Sequence, residues 1–220
     1  VRVTDEQGKL NLNVLRTPSG GIDQNWRGVA ERLFVIRGLD PALLDPIVDW
    51  LDADNALESR GAEREHYLQL TPPSTPRNGP FITEGELGRV KGMTAQVRGR
   101  LSDVVTVLPT SSSPRINVNT ASPEVLSALF PQVDQKLLEQ FLTTRGETPI
   151  RGTNDFRDRL GLPQNLPTFQ MISVRSDFFA IAALATVEPV SQALTVRVQR
   201  RASAVTPISW QTTLPVTERG

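Results

Sequence analysis

The sequence predicts an α+β protein: an antiparallel sheet drawn from both chain ends, interrupted by a large two-part helical domain. Three observations predict it. Near each terminus apolar residues alternate with polar ones, as in Val1 and Val3 and again in Val196 and Val198 between Thr195, Arg197 and Gln199, the pattern of a half-exposed sheet. Between them apolar residues recur three and four apart, the helical spacing. Cap-then-proline pairs, which start helices, fall in that middle stretch at Asp40-Pro41, Asp45-Pro46 and Ser122-Pro123. The sheet is assigned to residues 1–22 and 167–220, and the helical insertion to residues 23–166.

Residues 1–14, with a turn around Gly8, read as a hairpin. Residues 16–25 are a polar loop. Val29, Leu33 and Ile36 mark a first helix, and Ile47, Val48 and Leu51 a helix begun by Asp45-Pro46. Thr83 and Glu86 form a capping box for a short helix ending at Gly92. Residues 94–107 read as helix or strand, and Pro109–Pro114 as a linker. Ser122 and Asp134 cap two further helices, and Thr153 caps a third that stops at Gly161. Phe169–Arg175, Phe178–Val187, Ala193–Arg201 and Ser209–Leu214 read as strands, broken at Glu188-Pro189 and Ala204–Pro207.

The helical block contains an internal repeat, residues 39–93 and 119–162. Each unit has two short capped helices, then Pro followed by an apolar residue, a Thr and a short helix ending at Gly. The first is longer, and its acidic loop after Trp50 accounts for the excess.

The chain has 220 residues, and 24 Lys plus Arg balance 24 Asp plus Glu. A zero net charge argues against a module held to nucleic acid by a basic surface. The absence of Cys excludes a disulfide scaffold, a thiol nucleophile and Cys-ligated zinc or iron–sulfur sites. One histidine, His66, excludes a poly-His zinc site and reads as a loop or packing residue. No GxSxG, P-loop or GxGxxG occurs, so no catalytic residues and no enzyme activity are expected. Arg197, Arg200 and Arg201 read as a solvent-facing strand end, and Trp26, Trp50 and Trp210 as core anchors. The apolar run Phe178–Val187 is far short of the roughly 20 residues that span a bilayer. The start at Val1, without Met and on a strand pattern, reads as a piece of a longer protein.

Two stretches carry chemistry. INVNTASPEVLSAL resembles the opening of helix-hairpin-helix modules, many of which bind DNA. Their hairpin needs Gly-hydrophobic-Gly so that backbone N–H groups reach a phosphate. Here it reads Gln132-Val133-Asp134, with a carboxylate that would repel one. A nucleic-acid-binding protein is therefore the alternative reading, and packing the preferred one. Between Asp40 and Glu65 stand eight carboxylates and two arginines. Asp52, Asp54, Glu58 and Glu63 cluster there on a loop with Gly61. They form either a solvated acidic surface or a hard-oxygen site for Ca²⁺, which takes about 6–8 oxygens. The spacing is not that of an EF-hand.

DEQGKLNLN, LLDPIVDWLDAD, RGAEREHY with the Pro-rich segment and NGPF after it, and INVNTASPEVLSAL together resemble, in that order, the K-type minor pseudopilins of type II secretion. The C-terminal strands are less distinctive. The resemblance implies a pilin-like sheet interrupted by a two-part helical domain, and a structural role at the tip of the pseudopilus. There the protein would join I-type and J-type minor pseudopilins, help start assembly and support export of folded proteins, with secreted cargo a further candidate partner and no nucleic acid. It implies a periplasmic location, anchored in the inner membrane through an N-terminal helix absent from this sequence. It also implies Ca²⁺ in the helical domain, which carried to the matching loop places it at Asp52, Asp54, Glu58 and Glu63. Some members carry a disulfide, which a chain without Cys must do without.

Overall fold

A computed structural model describes residues 1–109, 115–187, 190–212 and 216–217. The linker core at 110–114, the break at Glu188-Pro189 and Leu214 lie outside these residues. In chain order, β1 (Arg2–Asp5) is followed by a 3₁₀ turn and β2 (Leu10–Asn11). Then come α1 (Gln24–Ile36), α2 (Asp45–Leu51), α3 (Arg64–Leu68), α4 (Ala95–Leu101) and β3 (Val105–Thr106). After the linker, β4 (Ile116–Asn117) leads into α5 (Pro123–Leu129), α6 (Gln135–Glu147), α7 (Thr153–Arg159) and β5 (Ile172–Ser173). The chain ends with β6 (Phe178–Val187), β7 (Val190–Arg201), β8 (Ala204–Thr212) and β9 (Val216–Thr217). No helix among the described residues is long and apolar enough to cross a membrane.

Both chain ends share one antiparallel sheet. Its order is β1-β6-β7-β8, with β9 also on β7, and Val3 lies opposite Ile181 in β6. The helical segments are inserted between β1 and β6, as the alternating termini and helical middle predict.

The N-terminal hairpin is not formed. β1 pairs with β6 rather than β2, and β2 runs parallel to β3 in a separate pair. Leu10, Leu12, Val14 and Leu15 sit in the helical core, because two 3₁₀ turns, each capped by an Asp or Asn side chain, redirect the chain after β1. The expected strand Phe169–Arg175 is a 3₁₀ turn over Pro167–Met171 followed by the two-residue β5. Residues 94–107 hold both α4 and β3.

Cap signals succeed where the side chain is free to reach the first turn. Asp23, Ser122 and Asp134 accept from backbone N–H groups of α1, α5 and α6. Asp45 instead lies inside α2 and pairs with Arg27, 2.6 Å away. Thr153 lies inside α7, which Gly152 precedes. Thr83 heads a 3₁₀ turn without capping it, and Glu86 takes the N–H of Ile82. The break expected at Ala204–Pro207 is strand; the turn is Ala202–Ser203, and a register shift beside Arg197 and Val198 accommodates Pro207 on the edge strand. Trp26 and Trp50 are buried, but Trp210 is 74% exposed. Arg197 is not solvent-facing: it sits half-buried between Glu6 and Glu84.

The internal repeat runs further back than the helices. LNLN at 10–13 and INVN at 116–119 each begin a half with a short strand, and each strand pairs in parallel with the one that closes its half. In the first half Asn13 accepts from the N–H of Phe81 (2.8 Å) and donates to the carbonyls of Phe81 (2.9 Å) and Leu108 (3.0 Å). In the second, Asn119 accepts from the N–H of Ile150 (2.7 Å) and donates to the carbonyls of Ile150 (2.9 Å) and Val174 (3.2 Å). The Pro-apolar pairs of the repeat are therefore the segments each asparagine grips. The halves join through α1 against α5, where Arg32 Nε donates to the carbonyl of Ala128 (2.7 Å) and Arg37 pairs with Glu124 (3.3 Å).

The sheet is tied to this block where the chain crosses over. Asp5 Oδ2 accepts from Asn117 (3.0 Å), Thr120 (2.6 Å) and Ser176 (2.6 Å). The next residue, Glu6, is 1% exposed and satisfied by Lys9 (3.0 Å) and Thr106 (2.6 Å).

Candidate metal centre

The acidic stretch begins on a helix. Asp45, Asp49 and Asp52 are spaced four and three apart, so the period of α2 sets them on one face. The following loop returns at Ala62-Glu63 to the same place. Carboxylate oxygens of Asp49, Asp52 and Glu63 lie within 4.8 Å of one another, and all three residues are buried.

Their partners distinguish them from the acids around them. Asp45 is neutralised by Arg27 and accepts from the N–H of Arg60 (3.0 Å). Asp49 accepts from the N–H groups of Glu58 (3.1 Å) and Ala62 (2.6 Å), which tie the loop to α2. Gly61 makes this possible: a Cβ there would lie 1.8 Å from Asp49 Oδ2. Asp52 Oδ1 and both carboxylate oxygens of Glu63 are buried with no hydrogen-bond partner. An unpaired buried carboxylate carries a desolvation penalty that natural sites offset with a partner or a metal.

Electrostatics agree with the geometry. Burial first, then the charges of Asp54 and Glu63, push Asp52 up to about 7. Burial and Asp49 raise Glu63. Burial raises Asp49 against its two backbone hydrogen bonds. Three acids held together, with oxygens left over and no His or Cys among them, form a hard-oxygen donor set suited to Ca²⁺ rather than to a softer metal.

Of the four residues expected to form this site, the structure brings Asp52 and Glu63 together. Glu58 is placed outside the group, turned to Arg27 at 3.2 Å. Asp54 is exposed at the rim, where its Oδ1 accepts from the N–H of Ala56 (2.7 Å). Asp49 was not expected. Its spacing from Asp45 and Asp52 is the signal, and it is legible only when the acids are read along a helix rather than along a loop. His66 packs edge-on against Tyr67, with centroids 5.2 Å apart.

Models of type II secretion system protein K match residues 8–110 and 116–175, one for each structural half. The chain belongs to the type II secretion system protein K family. The family's protein from Aeromonas hydrophila is 31% identical over 205 residues, covering 84% of this chain and 62% of that protein. That of Pseudomonas aeruginosa is 34% identical over 164 residues, covering 73% and 48%. That of Dickeya chrysanthemi is 33% identical over 161 residues, covering 69% and 44%. The chain thus spans between 44% and 62% of the length of these relatives. A solved chain of similar fold comes from the GspK-GspI-GspJ complex of the enterotoxigenic Escherichia coli type 2 secretion system. Its TM-score is 0.79 at 21% identity, covering 96% of this chain and 78% of that one.

Proposed function

We propose that the chain is the globular part of a minor pseudopilin that sits at the tip of the type II secretion pseudopilus. There it would help start the filament and support export of folded proteins. The single observation that carries the reading is the architecture: one sheet built from both ends, with a two-part helical block of more than 160 residues inserted between β1 and β6. A body much larger than its sheet fits the end of a stack of sheet-bearing subunits, because a further subunit above it would collide with the helices. The protein would be structural, not an enzyme, and periplasmic.

Its partners would be the I-type and J-type minor pseudopilins, a reading supported by the complex in which the similar solved chain occurs. Mixing the chain with the two partners from the same bacterium and running gel filtration tests this. A ternary peak is expected, and three separate peaks overturn the assignment.

We also propose that Asp49, Asp52 and Glu63 hold Ca²⁺, with Asp54 near enough to contribute. The ion would neutralise three buried carboxylates and tie the acidic loop to α2. Asp49 pins the loop from inside through its two backbone hydrogen bonds, and Glu63 stands at the residue that immediately precedes α3. Titration with Ca²⁺ after chelation, read by calorimetry, is expected to show saturable binding, and a flat titration at millimolar Ca²⁺ overturns it.

A further inference from the structure

A cavity of about 520 Å³ opens between the two halves. It is walled by the Arg16–Trp26 segment of the first half, by Arg115 at the end of the linker and by the Pro167–Met171 turn of the second. Its charges do not balance within the chain. Two guanidinium groups, Arg16 and Arg115, line it against one carboxylate, Asp23, whose Oδ1 is already spent on the N–H groups of Asn25 (3.0 Å) and Trp26 (3.2 Å).

Arg16 is unusual in this protein. The other half-buried arginines among the described residues are all engaged. Arg27, Arg37, Arg157, Arg159 and Arg197 meet carboxylates. Arg32, Arg98 and Arg145 donate to backbone carbonyls. Arg16 alone has no such partner, and its Nε is buried with its hydrogen bond unmade. A guanidinium offers a planar fork of donors matched to a carboxylate. One left unpaired at the wall of a cavity is a position where a ligand anion recovers the missing bond.

The rest of the lining selects the kind of anion. Val14, Trp26 and Met171 give the cavity an apolar floor, while the side-chain amides of Asn25 and Gln170 add groups able to bond a peptide backbone. A bare inorganic anion would use the arginines and waste that floor.

We propose that this cavity is a docking site for an acidic segment of a partner protein. It would take a glutamate or aspartate carboxylate on Arg16 and Arg115 and a neighbouring apolar side chain against Trp26 and Met171. The inference does not rest on the filament-tip reading, since the charge imbalance holds whatever assembly the chain enters.

The test uses the whole chain and a capped peptide, acetyl-Gly-Leu-Glu-Leu-Gly-amide, titrated by calorimetry at low salt. Two controls are the same peptide with Gln for Glu, and sodium glutarate. Saturable binding of the Glu peptide is expected, at least tenfold tighter than either control. It should weaken at least tenfold in Arg16→Gln and in Arg115→Gln. Arg115 is exposed, so Arg115→Gln keeps its fold and the test holds even if Arg16→Gln does not. Equal binding of glutarate would make this a free-anion site and overturn the proposal. So would equal binding of the Gln peptide, no saturable binding, or unchanged affinity in Arg115→Gln.

Discussion

The two halves of the helical domain are shut by the same device and differ in what lies behind it. In each, an asparagine two residues past the end of a short strand grips a Pro-apolar segment and the closing strand. In the second half that segment, Pro149-Ile150, follows almost directly on α6, which ends at Glu147. In the first, the chain leaves α2 at Leu51 and reaches Pro80-Phe81 only after the acidic loop and α3. A half of this kind therefore closes without any such loop. The loop is an addition, and it buries carboxylates where a purely structural segment would bury apolar side chains. That difference is why Asp49, Asp52 and Glu63 are proposed as a metal site.

The comparison breaks most visibly at the clamps. Asn13→Ala leaves the N–H and carbonyl of Phe81 without their partner in a buried setting, while the carbonyl of Leu108 keeps its bond from Asn11, and is expected to cost about 2–4 kcal/mol. Asn119, half-buried in the equivalent place, should cost about 1–3 kcal/mol. Denaturant unfolding of both variants measures this; no loss in either would dissolve the equivalence of the halves.

Metal removal should separate the halves next. With free Ca²⁺ at a hundred times its Kd, chelation is expected to lower stability by about 2.7 kcal/mol. Asp52→Asn and Glu63→Gln should melt at the same temperature with and without chelator. Gly61→Ala, which would drive a methyl into Asp49, should also lose the response. A chelator effect that survives in Asp52→Asn would move the ion elsewhere.

The pH response sharpens the same point. Because burial and neighbouring acids raise Asp52 to about 7, the folded apo chain keeps a proton there that the unfolded chain gives up near pH 4. Apo stability should therefore fall as pH rises from about 4 to about 7, then level off as the group ionises in both states. Ca²⁺ requires the ionised form, so its stabilising shift should grow over the same range. Thermal melts at pH 5 and pH 8, with and without Ca²⁺, check both signs, and an apo melting temperature that rises with pH would contradict the buried cluster. The smallest effect is expected at the rim. Asp54→Asn should weaken Ca²⁺ less than tenfold, because Asp54 is exposed, and calorimetry of that variant decides whether it belongs to the site.

How much of this was legible in the sequence depended on the range of the interaction. The paired ends, the strand Phe178–Val187 and the caps Ser122 and Asp134 rest on local periodicity and on first-turn hydrogen bonds, so they could be read directly. The hairpin at 1–14 could not. Leu10 and Leu12 alternate as a strand does, but their partners are Val105 and the helical core, some hundred residues away. Arg197 and Asp45 misled for the same reason: each is fixed by an ion pair that no spacing announces. For the proposed metal centre, loop composition pointed to Asp52, Asp54, Glu58 and Glu63, of which the structure brings Asp52 and Glu63 together. Asp49 needed the helical period, and Glu58 was lost to Arg27 on a different helix.

The crossing between sheet and helices has a mechanical consequence. The chain leaves the sheet after Asp5 and returns at Ser176, and the Asp5 carboxylate holds Ser176 together with Asn117 and Thr120. The outgoing and incoming threads are thereby stitched side by side, so the helical body cannot swivel as it would on a single tether. A tug along β1 is shared with β6 in shear and, through the Asp5 carboxylate, with Asn117 and Thr120 at the base of the second half.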